Sequence, residues 1–353
     1  MTNGRDPALP WARPRARRAG RLAGALLSTA ALAACGATPG PDSVPPPSVP
    51  AATSASAPAA TPSSSAPPTP AAPAGSTTPR PTPDRPAAAE LPRGGTEVFP
   101  RYRLVGYAGL TGASTLGRLG TGPLDQRVAE MERRARPYAK DGREILPVVE
   151  VIATVVQAAP GRDGLYRTRI TDDQIARYVK AARKRRAIVL LNIQPGRSEF
   201  IDEVRAYERW LREPDVGVAL DPEWAMGPNQ VPGRVYGRTT GAELDQVAGY
   251  LSGLVSKHRL PEKVMVYHQV ARSVVRDESK FKDRPGVAVV KSVDGIGSPA
   301  QKINTYRLVN KTTPKFVHPG FKLFYDEDSK GAKLMTPEQV MALKPRPEYV
   351  LYE

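Results

Sequence analysis

Strand-length apolar runs and amphipathic helix-length stretches alternate without a break from residue 102 to residue 352. The runs at 102–110, 145–156, 187–193, 216–220, 263–270, 286–293, 320–325 and 349–352 are rich in Val, Ile, Leu and Tyr, as buried strands are. Seven helical signals fall between them. Pro123 opens the first, with Leu124, Val128 and Met131 on one face. Thr171 with Gln174, Thr240 with Glu243, Ser298 with Gln301 and Thr336 with Gln339 are capping boxes. Phe200, Val204, Tyr207 and Leu211 mark another helix, and a weaker helical stretch covers 273–281. Strict alternation of this kind predicts an α/β fold, a closed (β/α)8 TIM-type barrel without a terminal helix. A doubly wound sheet would need a switch point and usually a glycine-rich phosphate loop. The glycine-rich stretch at 111–122 has no G-x-G-x-x-G pattern.

In such a barrel, catalytic groups sit at the carboxyl ends of the strands. The stretch from Val216 to Met226 is then the most informative. Val216 to Leu220 is apolar or small, and Asp221 and Glu223 follow at alternate positions. Alternation puts both acids on one face of an extended chain. Pro222 between them ends the strand, because it lacks a ladder donor. Trp224 comes next, then a polar Gly/Pro/Asn loop. The same rule assigns to the mouth Tyr107, Glu150, Asn192, Gln194, His268, Gln269, Lys291, Asp294, Tyr325, Asp326 and Glu353. Acids and amides hydrogen-bond hydroxyls and aromatic rings stack on sugar faces, so this set suits a carbohydrate.

The chain ahead of the barrel has a different composition. Of 38 prolines, 16 lie between Pro39 and Pro86, among Ala, Ser and Thr. That composition cannot bury enough apolar surface to fold, so residues 35–95 are expected to be a disordered linker. Extended at about 3 Å per residue, it would reach on the order of 100 Å. Residues 1–34 carry five arginines from Arg13 to Arg21, then an apolar run from Leu22 to Ala34 too short to span a bilayer. This is the layout of an export signal. Leu32-Ala33-Ala34-Cys35-Gly36 closes it and resembles the lipobox of bacterial lipoproteins. The resemblance implies that Cys35 is lipidated, becomes the mature N-terminus and anchors an extracytoplasmic protein to the cell membrane, with the barrel reaching into the wall. Cys35 is the only cysteine, so the barrel has no disulfide and no thiolate chemistry.

The formal charge is +16, of which about +11 belongs to the chain beyond residue 34. Such a balance suits an anionic envelope polymer. The sharpest basic run, Lys180 to Arg186, ends a helix, where cations favour the dipole, so no nucleic-acid partner is expected. Three histidines without paired spacing give no metal site, no cofactor motif is present, and there is no G-x-S-x-G elbow for a serine hydrolase. The protein is expected to act as a monomer.

Gly217-Val-Ala-Leu-Asp221-Pro-Glu223 resembles the end of strand four in chitinase-like family-18 glycosidases and the D-x-E of family-25 lysozymes. The resemblance implies that Glu223 is a general acid and that Asp221 tunes it or positions an N-acetyl group. The family-18 pattern has a further Asp two residues before Asp221, where this chain has Ala219. The family-25 pattern has an Asp on strand one, where this chain offers Gly106 and Tyr107. The expected function is glycosidic cleavage of an envelope polysaccharide, with Asp326, Glu327, Glu150 or the substrate's own acetamido group as the second participant. Trp224, Asn192, Gln194, Glu150, Tyr107, His268, Gln269 and Tyr325 would bind substrate. The alternatives are a non-catalytic glycan-binding lipoprotein and a basic scaffold without a pocket. For the anchor, Cys35→Ser should leave a precursor that keeps Met1, read by mass spectrometry. A native protein with an intact Met1 terminus would refute the lipoprotein reading.

Overall fold

A computed structural model describes residues 89–353; the expected export signal, Cys35 and most of the linker lie outside them. The described chain runs β1 (Tyr102–Gly109), α1 (Leu124–Ala135), β2 (Glu144–Val156), β3 (Arg167–Arg169), α2 (Asp172–Arg183), β4 (Ile188–Ile193), α3 (Phe200–Ala206), α4 (Glu208–Leu211) and β5 (Val216–Leu220). It continues with β6 (Thr239–Thr240), α5 (Gly241–His258), β7 (Lys263–Gln269), β8 (Val275–Arg276), β9 (Val287–Val293), α6 (Pro299–Val309), β10 (His318–Leu323), α7 (Pro337–Met341) and β11 (Tyr349–Tyr352). Strands pair in the order β1-β11-β10-β9-β7-β5-β4-β2, and β1 also pairs with β2. All eight of these pairings are parallel, so the sheet closes into a TIM-type barrel.

Closure gives each strand an inner and an outer face, and alternate residues divide between them. Leu104, Val148, Leu190, Ala219, Val266, Val290 and Leu351 fill the barrel. Their neighbours Val105, Val149, Leu191, Leu220, Tyr267 and Val350 pack outward against the helices. All four capping boxes are formed. Leu91 and Val98 are buried with the inner cluster, so the packed unit begins ahead of Thr96.

Two helical expectations need correction. The stretch 273–281 forms no α-helix; two 3-10 turns flank β8, which pairs with β6. Asp277 takes a left-handed conformation there, and Glu278 turns inward to pair with Lys291 at 2.6 Å. The helix after β4 is interrupted at Tyr207, whose hydroxyl donates to the Ala153 carbonyl at 2.8 Å. The short β3, absent from the expected elements, folds back antiparallel on β2. Buried Glu203 holds it, taking Arg167 and Arg169 each at 2.7 Å.

Gly217 lies where the inner wall is tightest. A Cβ there would sit 2.3 Å from the Val264 carbonyl oxygen on the neighbouring strand, and backbone cannot move aside cheaply. Gly217→Ala should destabilise the barrel by about 2 kcal/mol or more. Gly253 on α5 has nothing within 4 Å of its virtual Cβ, so Gly253→Ala should stabilise by about 0.5–1 kcal/mol. Urea denaturation of both variants checks the pair; equal effects would contradict this account of the wall.

Candidate functional site

The carboxyl end of the barrel interior carries ionisable groups where its lower part carries Leu and Val. Glu150, on apolar β2, is wholly buried. So is His268, the inward residue after Val266 on β7. Asp294 follows β9 directly, and Lys322 lies on β10 between Phe321 and Leu323. The His268 Nδ1 is 2.8 Å from an Asp294 oxygen and its Nε2 is 2.9 Å from a Glu150 oxygen. Donation from both ring nitrogens requires the imidazolium. Lys322 lies 3.2 Å from Asp294 and 2.6 Å from Glu353. Ser292 donates to Asp294 at 2.8 Å, and the Tyr349 hydroxyl donates to Glu150.

Asn192 joins this network to the strand-five acids. Its amide donates to Glu150 at 2.9 Å and to Asp221 at 3.0 Å. Gln194 donates to the other Asp221 oxygen at 3.2 Å. Asp221 therefore accepts from two amides and lies 3.9 Å from the His268 ring. Glu223 follows on a single 3-10 turn, Pro222–Trp224, and is buried. Among the described residues its Oε2 has no hydrogen-bond partner, and neither has the Asn192 Oδ1.

The electrostatics divides these acids into two classes. Burial favours the neutral form of every carboxyl here. For Glu150 the His268 charge overcomes burial and holds the carboxyl below its ordinary range. Asp294 is likewise held below its ordinary range, against burial, by His268 and Lys322. The carboxylates of Glu150, Asp294 and Glu353 face only two cations, so a further negative charge is poorly compensated. Asp221 is pushed up to about 6, by burial first and by Glu150 and Asp294 after it, against the pull of His268 and Lys322. Glu223 is pushed well above the carboxylate range, by burial and then by the charges of Asp221 and Asp294. Burial would lower His268, but Asp294 and Glu150 hold it well above its ordinary value.

Other residues expected at the mouth lie outside this buried network. Tyr107 points outward because Gly106 and Ala108 take the inner positions of β1; its hydroxyl accepts or donates with Tyr325 at 3.1 Å and donates to Glu130 at 3.0 Å. Tyr325 stacks on Tyr352 in the same helix-side layer. Neither tyrosine reaches the buried acids. Asp326 is exposed, beyond the end of β10, and outside the network. Lys291 also faces outward, toward Glu278. Gln269 is buried, donates to the Ala271 carbonyl at 3.2 Å and leaves its Oε1 unpartnered. Trp224 is half-buried beside Glu223. Lys322 and Tyr349 were missed by sequence reasoning. Lys322 does carry a signal in the sequence: like Glu150, it is an ionisable residue inside an apolar strand.

A cleft of about 670 Å³ opens beside the mouth, between the β2–β3 hairpin and the loops after β4 and β5. Leu165, Arg197, Phe200, Met226, Arg238 and Glu243 are among its lining residues; Asp221 and Glu223 are not. Among the described residues no group of three or more His, Cys, Asp and Glu is placed to hold a metal ion. No protein-family model matches this chain, and no curated protein matches it.

Replacing His268 would leave Glu150 and Asp294 buried without their shared cation. His268→Gln should cost about 3–5 kcal/mol at pH 7. The direction with pH follows from the shifts. The raised His268 contributes fully below its unfolded value and loses its contribution only as pH rises through its folded value. The lowered Glu150 and Asp294 contribute above the ordinary carboxylate range and lose stability as pH falls below it. The deficit of the variant should therefore narrow below about pH 4. Denaturation at both pH values reads this, and a pH-independent deficit would contradict it.

Proposed function

We propose that the protein is an extracytoplasmic, lipid-anchored glycosidase acting on an envelope polysaccharide, with Glu223 as general acid. The observation that carries this reading is the Glu223 carboxyl itself. It is buried at the carboxyl end of a barrel strand, it has one oxygen without a partner, and it is held well above the carboxylate range. A general acid must hold its proton near neutral pH and must have that proton available to a leaving-group oxygen. Asp221, with its value near 6, is largely ionised at pH 7 beside it. Two neighbouring carboxyls driven to opposite protonation states suit acid and anion roles in glycosidic cleavage.

The second role falls to Asp221. Glu150 is engaged by His268, Asn192 and Tyr349, and Asp326 is exposed and apart from the network. Asp221, oriented by Asn192 and Gln194, would orient and charge-stabilise a substrate acetamido group as that group attacks the sugar's anomeric carbon. The unpartnered Asn192 Oδ1 would accept from a substrate hydroxyl or amide. Burial, and then the charges of Asp221 and Asp294, keep Glu223 protonated against the opposing pull of His268.

A non-catalytic glycan-binding lipoprotein is the second reading. It is favoured by one observation: apart from Asp221 and Glu223, the carboxylates of the buried network are each engaged by a cation.

Release of reducing ends from an N-acetylated envelope polysaccharide tests the proposal. Glu223→Gln should cut turnover by about 10²–10⁴-fold while sparing affinity, because the amide keeps the shape and loses the proton. The wild-type rate should fall as pH drops through about 6, where Asp221 takes a proton, and fall again as pH rises through the Glu223 value. Asp221→Asn should move the alkaline limb to lower pH, since the Asp221 charge raises Glu223. Near wild-type cleavage by Glu223→Gln would refute the acid assignment.

A further inference from the structure

The cleft beside the mouth is built onto the backbone of the candidate acid. The Gly237 N–H donates to the Glu223 carbonyl at 2.7 Å, and the Arg238 N–H donates to the Ala225 carbonyl at 2.9 Å. The Met226 N–H donates to the Gly196 carbonyl at 2.6 Å, tying the same segment to the loop after β4. The cleft wall and the backbone that carries Glu223 therefore belong to one hydrogen-bonded frame.

The charges in the lining are mostly spoken for. Arg197 donates through Nε and Nη2 to the Gln230 carbonyl, at 3.0 and 2.9 Å, and lies over the Tyr166 ring. Glu243 accepts from Thr239 at 2.6 Å and from the Thr240 N–H at 2.7 Å in its capping box. Arg238 and Glu199 are different. Both line the cleft and are exposed, and neither side chain bonds to another described residue. Leu165, Phe200 and Met226 supply apolar wall between them. The lining thus offers one open guanidinium, one open carboxylate and an apolar surface.

We infer that this cleft is a subsite for a sugar unit bearing a carboxylate, which Arg238 recognises, with a hydroxyl of the same unit donating to Glu199. A guanidinium presents two parallel N–H donors that match a carboxylate. The apolar wall suits the carbon face of a sugar ring. This rests on the glycosidase reading for its orientation, since the cleft wall is hydrogen-bonded to the backbone segment that carries Glu223. It deepens that reading by naming the substrate class, an acidic glycan with carboxylated sugars.

The test uses the full chain carrying Glu223→Gln, so that neither probe is consumed. Calorimetry compares a tetrasaccharide of alternating N-acetylglucosamine and N-acetylmuramic acid, which carries lactyl carboxylates, with neutral chitotetraose. The carboxylated probe should bind about tenfold tighter, a charge-assisted bidentate contact at an exposed position. Arg238→Gln should bring the ratio of the two affinities to about one, and Arg238→Lys, which keeps the charge, should retain part of the preference. Equal binding of the two probes, or a preference that survives Arg238→Gln, would overturn the subsite. Stronger Arg238-dependent binding of poly(glycerol phosphate) than of the carboxylated probe would overturn it in favour of a phosphodiester polymer. Turnover by the wild type is scored separately. An Arg238-dependent preference without any turnover supports the subsite and removes the catalytic reading, whereas turnover without the preference removes only the subsite.

Discussion

An imidazolium sealed inside the barrel is the interaction on which the upper half of this structure depends. His268 is wholly buried, so Glu150 and Asp294 must compensate its charge from either side. Their alignment in turn requires β2, β7 and β9 to hold their registers across the barrel, since each group comes from a different strand. A slip of one residue in any of the three would turn its member outward into the helix layer. The network therefore ties charge compensation to strand register.

The same charges set the state of the acids above them. The interior accommodates Glu150 and Asp294 as anions because cations lie within hydrogen-bond reach of each. Asp221 receives amide donors and a ring 3.9 Å away, and its proton is held more tightly. Glu223 has an oxygen with no donor and lies under the negative charge of Asp221 and Asp294, so it is pushed furthest. Proton affinity thus follows compensation, low where a cation lies within hydrogen-bond reach and high where none does. The most tightly held proton is then the one on Glu223, just past the carboxyl end of β5.

The loops outside the barrel extend this arrangement. Glu203 fixes the β2–β3 hairpin through two arginines, and that hairpin forms one wall of the cleft. The chain after Glu223 forms another, pinned by backbone bonds from Gly237, Arg238 and Met226. Walls pinned in this way keep Arg238 and Glu199 on a common surface without spending either side chain on an internal bond.

The amino-acid sequence by itself determined the barrel, its strands and the strand-five acids, because period and alternation are local properties of the chain. Val216 to Leu220 followed by Asp221, Pro222 and Glu223 announced a strand ending in acids, and the capping boxes marked four helix starts. Only the tertiary structure decided which faces those residues take and what they meet. Tyr107 and Lys291 sit in strands as read, yet both turn outward, because the inner face belongs to their neighbours. Stretch 273–281 has helical spacing, but the burial of Glu278 against Lys291 outweighs local propensity. The pairing of His268 with Glu150 crosses 118 residues of sequence, and no local pattern carries that distance. Lys322 was visible only as a lysine in an apolar strand; its meaning came from Asp294 and Glu353 on the ends of the neighbouring strands, which the parallel pairing of β10 with β9 and β11 brings within reach.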